Sequence, residues 1–422
     1  MFVTNESRRG ISQTALKFAL EASVNHVKPA SRVLILPPDF TRMYSGAGWL
    51  SEIYYNYLTS RGCDVDLLPA LGTHEAMSDD EIEAFFHTIP KEKFIAHNWR
   101  RDVVKLGEVP ADFVSEVSDG LANDKIDVEV NKIIVDGTYD LVISIGQVVP
   151  HEVVGMANYS KNVFVGCGGS SMINSSHMLG AFYGMERIMG KDFSPVRKVF
   201  DYAEENFIKD VPLMYVLTVT TNEGENTNIH GLYIGRQRKL FEMAVAQSQK
   251  LNLTHLEKPI TKAVVYLDER EFKSTWLGNK AVYRTRMAIE NGGELIILAP
   301  GVRKFGEDAD NDILIRKYGY VGREKVLDLV KANEDLRENL SVAAHLIHGS
   351  SDGRFSITYA TTPSKLSENE VTSANFGYIS YDEAIKKYDP DALKDGYNTL
   401  PDGEEIFYIS NPALGLWIVD KE

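Results

Sequence analysis

Short, almost wholly apolar runs alternate along this chain with segments whose apolar residues recur at helical spacing. Val33-Leu34-Ile35-Leu36 reads as a buried strand closed by Pro37-Pro38, and Trp49 to Leu58 as an amphipathic helix that stops near Gly62. A second strand, Val65 to Leu71, runs into Gly72-Thr73-His74, after which Ser78 and Glu81 form a capping box. Ile133 to Val135 and Leu141 to Ile145 are further strand candidates, followed by helical patterns at Ser171–Met189 and Arg236–Leu251 with the β-like run Tyr215–Thr220 between them. Beyond Thr261 the alternation resumes. Ala263–Leu267 and Gly293–Leu298 read as strands and Lys280–Glu290 as a helix; Gly319–Val330 reads as another helix and Phe355–Tyr359 as a strand.

Alternation of this kind predicts an α/β fold with mostly parallel sheets flanked by helices. At 422 residues the chain suits two domains. The expected division is 1–260, rejoined by the apolar tail 400–422, and 261–399, with the active site in the cleft between them.

Composition narrows the function classes. A net charge of −15 argues against nucleic acid or an anionic membrane as the main partner. Two cysteines, Cys63 and Cys167, provide no disulfide framework, and no secretory signal or bilayer-length apolar run is visible, so a cytoplasmic globular protein is expected.

Ligands of such folds sit beyond the carboxyl ends of strands, and three predicted strand ends carry ionisable groups there: Asp39 with Arg42, His74, and His151 after Pro150. Arg42 suits a carboxylate or phosphate; alternatively Asp39 is a helix cap and Arg42 a solvated side chain. His74 and His151 are candidate proton carriers, or hydrogen-bonded turn residues. Lys161, followed by Val163-Phe164-Val165, has the surroundings of a desolvated amine that can serve as nucleophile or tether, although most lysines are simply solvated. Gly166-Cys167-Gly168-Gly169 leads into a helix whose first N–H groups offer an anion cradle, and His177 inside that helix is either a metal ligand or a core histidine. Lys280, at a predicted helix start where the dipole disfavours a cation, is a candidate for a substrate carboxylate.

Together these residues resemble the lactate racemase family, whose members carry a nickel-pincer nucleotide. The resemblance rests on Asp39-Phe40-Thr41-Arg42, Gly72-Thr73-His74 and Pro150-His151…Gly155…Lys161…His177, and spans most of the chain. It implies that His74 and His151 are paired acid/base residues. It further implies that Lys161 carries, through a thioamide, a pyridinium-3-thioamide-5-thiocarboxylate mononucleotide holding Ni(II), with His177 as the protein ligand to the metal. By the same resemblance Asp39, Thr41 and Arg42 contact the cofactor, and Arg42, Lys280 and Trp276 the substrate. The implied reaction is proton-coupled hydride transfer that inverts a carbinol carbon of a 2-hydroxy acid, with cofactor maturation enzymes as partners.

Met156-Ala157-Asn158-Tyr159-Ser160 replaces the family's small, glycine-containing stretch, which points to a substrate larger or more polar than lactate. Asn158, Tyr159, Asn279, His345, His348 and Arg354 are candidates to bind extra hydroxyls, as in an aldonate epimerase. From other classes, a hydrolase using His74, His151 and His177 on zinc, or a cofactor carrier protein, remain as alternatives.

Overall fold

The computed structural model describes residues 1–223 and 226–419. The chain forms two compact units: Met1–Tyr183 with Ile188–Asn252, and the short excursion Gly184–Arg187 with the residues from Leu253 onward.

The first unit is built on strands β1 (Phe2–Thr4), β2 (Arg32–Leu36), β3 (Asp64–Leu67), β6 (Leu141–Gln147), β9 (Leu213–Glu223) and β10 (Asn226–Gly235). Two small antiparallel pairs, β4 (Val103–Val109) with β5 (Ile126–Asn131) and β7 (Pro150–His151) with β8 (Gly155–Met156), branch from it. The main sheet runs β1-β10-β9-β6-β2-β3, parallel from β9 through β6 and β2 to β3, with β10 and β1 antiparallel.

Alternation along β2 shows why its sequence is apolar throughout. Val33 and Ile35 enter one core with Leu50, Tyr54 and Ile143, while Leu34 and Leu36 enter the other with Phe164 and Phe200. Successive side chains of a strand point to opposite faces, and here both faces are covered by helices.

The second unit has its own sheet, β15-β14-β13-β12-β17-β16, from β12 (Ile260–Tyr266), β13 (Ile289–Ala299), β14 (Ser356–Thr361), β15 (Gly377–Ser380), β16 (Gly396–Thr399) and β17 (Glu405–Ile409). All its neighbours are parallel except β16 with β17. Strand β11 (Leu253–Leu256) pairs with β18 (Leu416–Val419). The mixed α/β architecture is therefore as expected, but the division falls after Asn252, not 260.

The tail belongs to the second unit. β17 completes the second sheet beside β12, because Ile406 and Tyr408 find their apolar neighbours in Val264, Ile296 and Leu298. Residues 420–422 of the expected tail lie outside the described residues.

Local expectations fail where turns intervene. Ile133–Val135 falls at a 3-10 turn, Lys132–Ile134, that follows β5. The helix expected over Lys280–Glu290 ends at Thr285, since β13 begins at Ile289. Among the described residues no helix is long and apolar enough to cross a membrane.

Candidate active site

The parallel strands β2, β3 and β6 deliver three loops to one edge of the first sheet. Beyond β2, Pro38 still bridges to Ala70 in parallel register, so Asp39 and the 72–74 turn leave the sheet side by side. Asp39 caps the 3-10 turn Phe40–Ser45, accepting from the Thr41 amide at 3.2 Å and the Thr41 hydroxyl at 2.6 Å. Its other oxygen is paired with Nδ1 of His74. Burial alone would push this carboxyl up; the charges and hydrogen bonds of His74 and Thr41, with Arg42 beyond, outweigh it and hold Asp39 below its ordinary value. With Nδ1–H given to Asp39, neutral His74 carries its lone pair on Nε2.

Beyond β6 the chain makes the β7–β8 hairpin, in which His151 faces Gly155. The Val153 amide donates to His151 Nδ1 at 3.1 Å. Glu152 Oε2 stands 3.7 Å from the same nitrogen, a charge contact rather than a hydrogen bond.

Lys161 immediately precedes the π-turn Asn162–Gly166. Asn162 pins that turn to the strand ends, its Nδ2 donating to the Leu36 carbonyl at 3.1 Å and the Ser144 hydroxyl at 2.9 Å. The Lys161 ammonium keeps a partial opening to solvent, yet protein encloses it closely. Burial, then the Arg42 charge, hold its pKa down to about 8, against the pull of Glu152 and Asp39. A lysine so placed spends an appreciable fraction of time as the neutral, nucleophilic amine near neutrality.

His177 sits on the helix Ser170–Tyr183. Its Nδ1 donates to the Ile173 carbonyl at 2.6 Å, one turn back, which leaves the lone pair on Nε2. Burial lowers its pKa to about 4, so the ring is neutral at pH 7, the state a metal requires. The charges of Lys161, Glu152 and His74 all act on it, which gathers these residues around one centre. Among the described residues no group of three or more His, Cys, Asp or Glu is arranged to hold a metal, so the three histidines do not meet as the zinc site of a hydrolase.

The glycine turn is not an open anion cradle. A carboxylate oxygen of Glu129 accepts from the Ser171 amide at 3.0 Å, and the Glu129 carbonyl accepts from Gly169 at 3.3 Å. His97 completes the brace from below. Its Nε2 donates to the Gly168 carbonyl and its Nδ1 accepts from Asn131, both at 3.0 Å.

The second unit holds Lys280 and Trp276. Lys280 is 7% exposed, donates to Glu271 at 3.1 Å and lies over the Phe272 ring. Trp276 stacks on His345 at 4.2 Å. Several of the groups expected to bind extra hydroxyls have internal partners. His345 is held between the hydroxyls of Tyr283 and Tyr320, Asn279 accepts from Tyr359, and Arg354 donates to the carbonyls of Arg286 and Ile289. Tyr159 turns into the core against Phe241, its hydroxyl donating to the Arg236 carbonyl, and the Asn158 side-chain oxygen accepts from the Tyr159 amide.

Three residues that contact or brace candidate residues within each unit were not singled out from sequence: Glu152, Arg197 and Glu271. Glu152 stands beside His151 in the chain, so adjacency alone was the available signal. Arg197 and Glu271 lie 36 and 9 residues from the lysines they serve (197 − 161 and 280 − 271), which no local pattern reveals.

Residues 10–188 match the lactate racemase N-terminal domain. Among solved structures, a Thermotoga maritima protein superposes with a TM-score of 0.84 at 24% identity, covering 99% of this chain and 100% of that one. A lactate racemase apoprotein from Thermoanaerobacterium thermosaccharolyticum gives 0.68 at 16% identity, covering 100% and 94%. No curated protein matches the chain.

Proposed function

We propose that this protein inverts the carbinol carbon of a 2-hydroxy acid, using a nickel-pincer nucleotide tethered at Lys161. The observation that carries the reading is the pairing of an amine with pKa lowered to about 8 and a neutral imidazole whose Nε2 lone pair is set by the Ile173 carbonyl, each within the other's electrostatic reach. The donor set fits the group: Lys161 offers a nucleophile for an acyl-type link, and His177 one nitrogen ligand to a metal whose other donors belong to the cofactor. When bound, such a nucleotide supplies a pyridinium ring able to accept and return a hydride.

The protein's share is position and proton traffic. His74, oriented by Asp39, takes or gives a proton at Nε2 toward the substrate oxygen, and His151 serves the opposite enantiomer. Arg42 is the first unit's candidate for the substrate carboxylate, and Lys280, beside Trp276, the second unit's.

Of the groups considered for an aldonate, Tyr159, His345 and Arg354 are committed to internal hydrogen bonds, which favours a 2-hydroxy acid over an aldonate. Cytoplasmic maturation enzymes that install the cofactor are the implied partners.

The test is to co-express the chain with such enzymes, then measure intact mass, nickel content and hydrogen exchange at the carbinol carbon in deuterium oxide. A mass increment on Lys161 with exchange of a 2-hydroxy acid supports the reading. Absence of both increment and nickel in matured protein rejects it. An increment and nickel without exchange of any hydroxy acid would leave a carrier protein.

A further inference from the structure

The two site histidines are wired in opposite senses. His74 gives its Nδ1 proton to Asp39, so its neutral ring can receive a proton at Nε2. His151 instead accepts the Val153 amide at Nδ1, which puts the proton of its neutral ring on Nε2. In that tautomer Nε2 can donate a hydrogen bond but cannot take a proton. For His151 to act as a base, Nδ1 must be protonated, and then two N–H groups, from the ring and from Val153, would oppose one another.

A carboxylate relieves that conflict, and one is at hand. Glu152 Oε2 lies 3.7 Å from Nδ1, within a modest ring rotation of a charge-assisted hydrogen bond. Neighbouring side chains of a strand point to opposite faces, but β7 ends at His151 and the chain reverses at once toward β8, which brings Glu152 around to the ring. Glu152 also acts electrostatically on Lys161 and His177, so its charge belongs to this centre.

We propose that Glu152 is the positioning residue of His151 and holds the ring in its working tautomer. The inference rests on His151 being a proton carrier in the proposed reaction. The ring takes one proton from solvent at Nδ1, breaking the Val153 bond and making one to Glu152. Nε2 alone then trades a proton with the substrate oxygen, while Nδ1–H stays on the carboxylate. Glu152 touches no reacting atom.

The test compares wild type, Glu152→Gln and Glu152→Asp as full chains. Nitrogen-15 histidine NMR of the protein without cofactor, with His151 assigned from its loss in His151→Asn, reads the ring in mildly acidic buffer. Doubly protonated His151 is expected in wild type, and the Nε2–H tautomer persisting in Glu152→Gln. In matured enzyme Glu152→Gln lowers kcat about 10- to 100-fold with KM nearly unchanged, and Glu152→Asp restores part of it.

Unaltered His151 resonances together with unaltered kcat overturn the proposal. So does loss of the mass increment or nickel in Glu152→Gln, which would place the effect at Lys161 or His177. If wild type itself exchanges no carbinol hydrogen, the racemase reading falls, and the NMR comparison still decides whether Glu152 governs the ring.

Discussion

The Arg197 guanidinium donates to the Ser160 hydroxyl at 2.8 Å, one residue before Lys161. Its other nitrogen donates to the carbonyls of Met156 at 2.8 Å and Asn158 at 3.1 Å, and the side chain is 0% exposed, lying over Phe241. Asn158 and Tyr159, at φ 66° and 57°, occupy the left-handed region where glycine is at ease and other residues are strained. Arg197 and the Tyr159–Phe241 stack hold a backbone shape here that small residues would adopt freely. Arg197→Met should leave three buried acceptors without their donor and cost about 3 kcal/mol in urea unfolding. It should also slow reagent access and attachment at Lys161, read by peptide mass mapping. An unchanged midpoint and unchanged labelling would contradict the clamp.

Lys161 itself should stand apart from the protein's other lysines. With its pKa near 8, an amine-acylating reagent should reach half its limiting rate at Lys161 close to pH 8, whereas a solvated lysine does so near its ordinary value of about 10.4. Arg42→Ala removes a cation that disfavours the ammonium, so the midpoint at Lys161 should move upward. A midpoint above 10 in the wild type would refute the environment described for this amine.

The strands and their exits were legible because β2 and β6 are buried on both faces, which forces continuous apolar runs that end abruptly at Pro37 and Gly146-Gln147. Asp39, His74 and His151 stood out for the same reason, as polar groups just past apolar runs, whereas Lys161 precedes one and His177 lies within a helix. What stayed hidden depends on contacts distant in sequence. β4 and β5 mix charged with apolar positions because their pair is only partly covered, so they lack a clear strand signature. The glycine turn looked like an anion site because nothing local announces that Glu129, on β5, fills it. The tail's apolar character was visible, but it could not say which sheet would take it.

His97 makes folding stability depend on pH in a defined direction. Burial lowers its pKa below 6.5 in the folded protein, against the help of the Gly168 carbonyl, while the unfolded chain titrates normally. The folded state thus binds fewer protons than the unfolded state over that interval. Stability is complete above pH 6.5 and falls as pH drops below it. Asp39, also lowered, extends the loss in the same direction below 3.8. The urea midpoint should therefore decline from pH 7.5 to 5, and His97→Gln should flatten part of that slope. A flat profile in wild type would refute the assignment.

His177 and Lys161 should be separable. His177→Asn removes the Nε2 donor while leaving the Lys161 turn, braced by Asn162, in place. After maturation the variant should keep the mass increment at Lys161 but lose bound nickel, measured by metal analysis after gel filtration. Nickel retained at wild-type stoichiometry would exclude His177 as the protein ligand.

The Lys280–Glu271 pair has a structural role, and one series of variants separates it from the binding role proposed for Lys280. Glu271 is 3% exposed, one of its oxygens accepts from Lys280, and the other has no hydrogen-bond partner among the described residues. Removing the ammonium alone strands a buried carboxylate, so Lys280→Ala should destabilise the protein by about 3 to 5 kcal/mol. Lys280→Met with Glu271→Gln removes both charges and keeps comparable volume, so most of that stability should return. Substrate affinity should not return with it, because no cation remains at this position to meet the carboxylate. The double variant should melt near wild type while its KM for a 2-hydroxy acid stays raised about 10-fold or more, the loss of one charge-assisted contact. A double variant with wild-type KM would assign Lys280 to the fold alone and leave Arg42 as the carboxylate's partner.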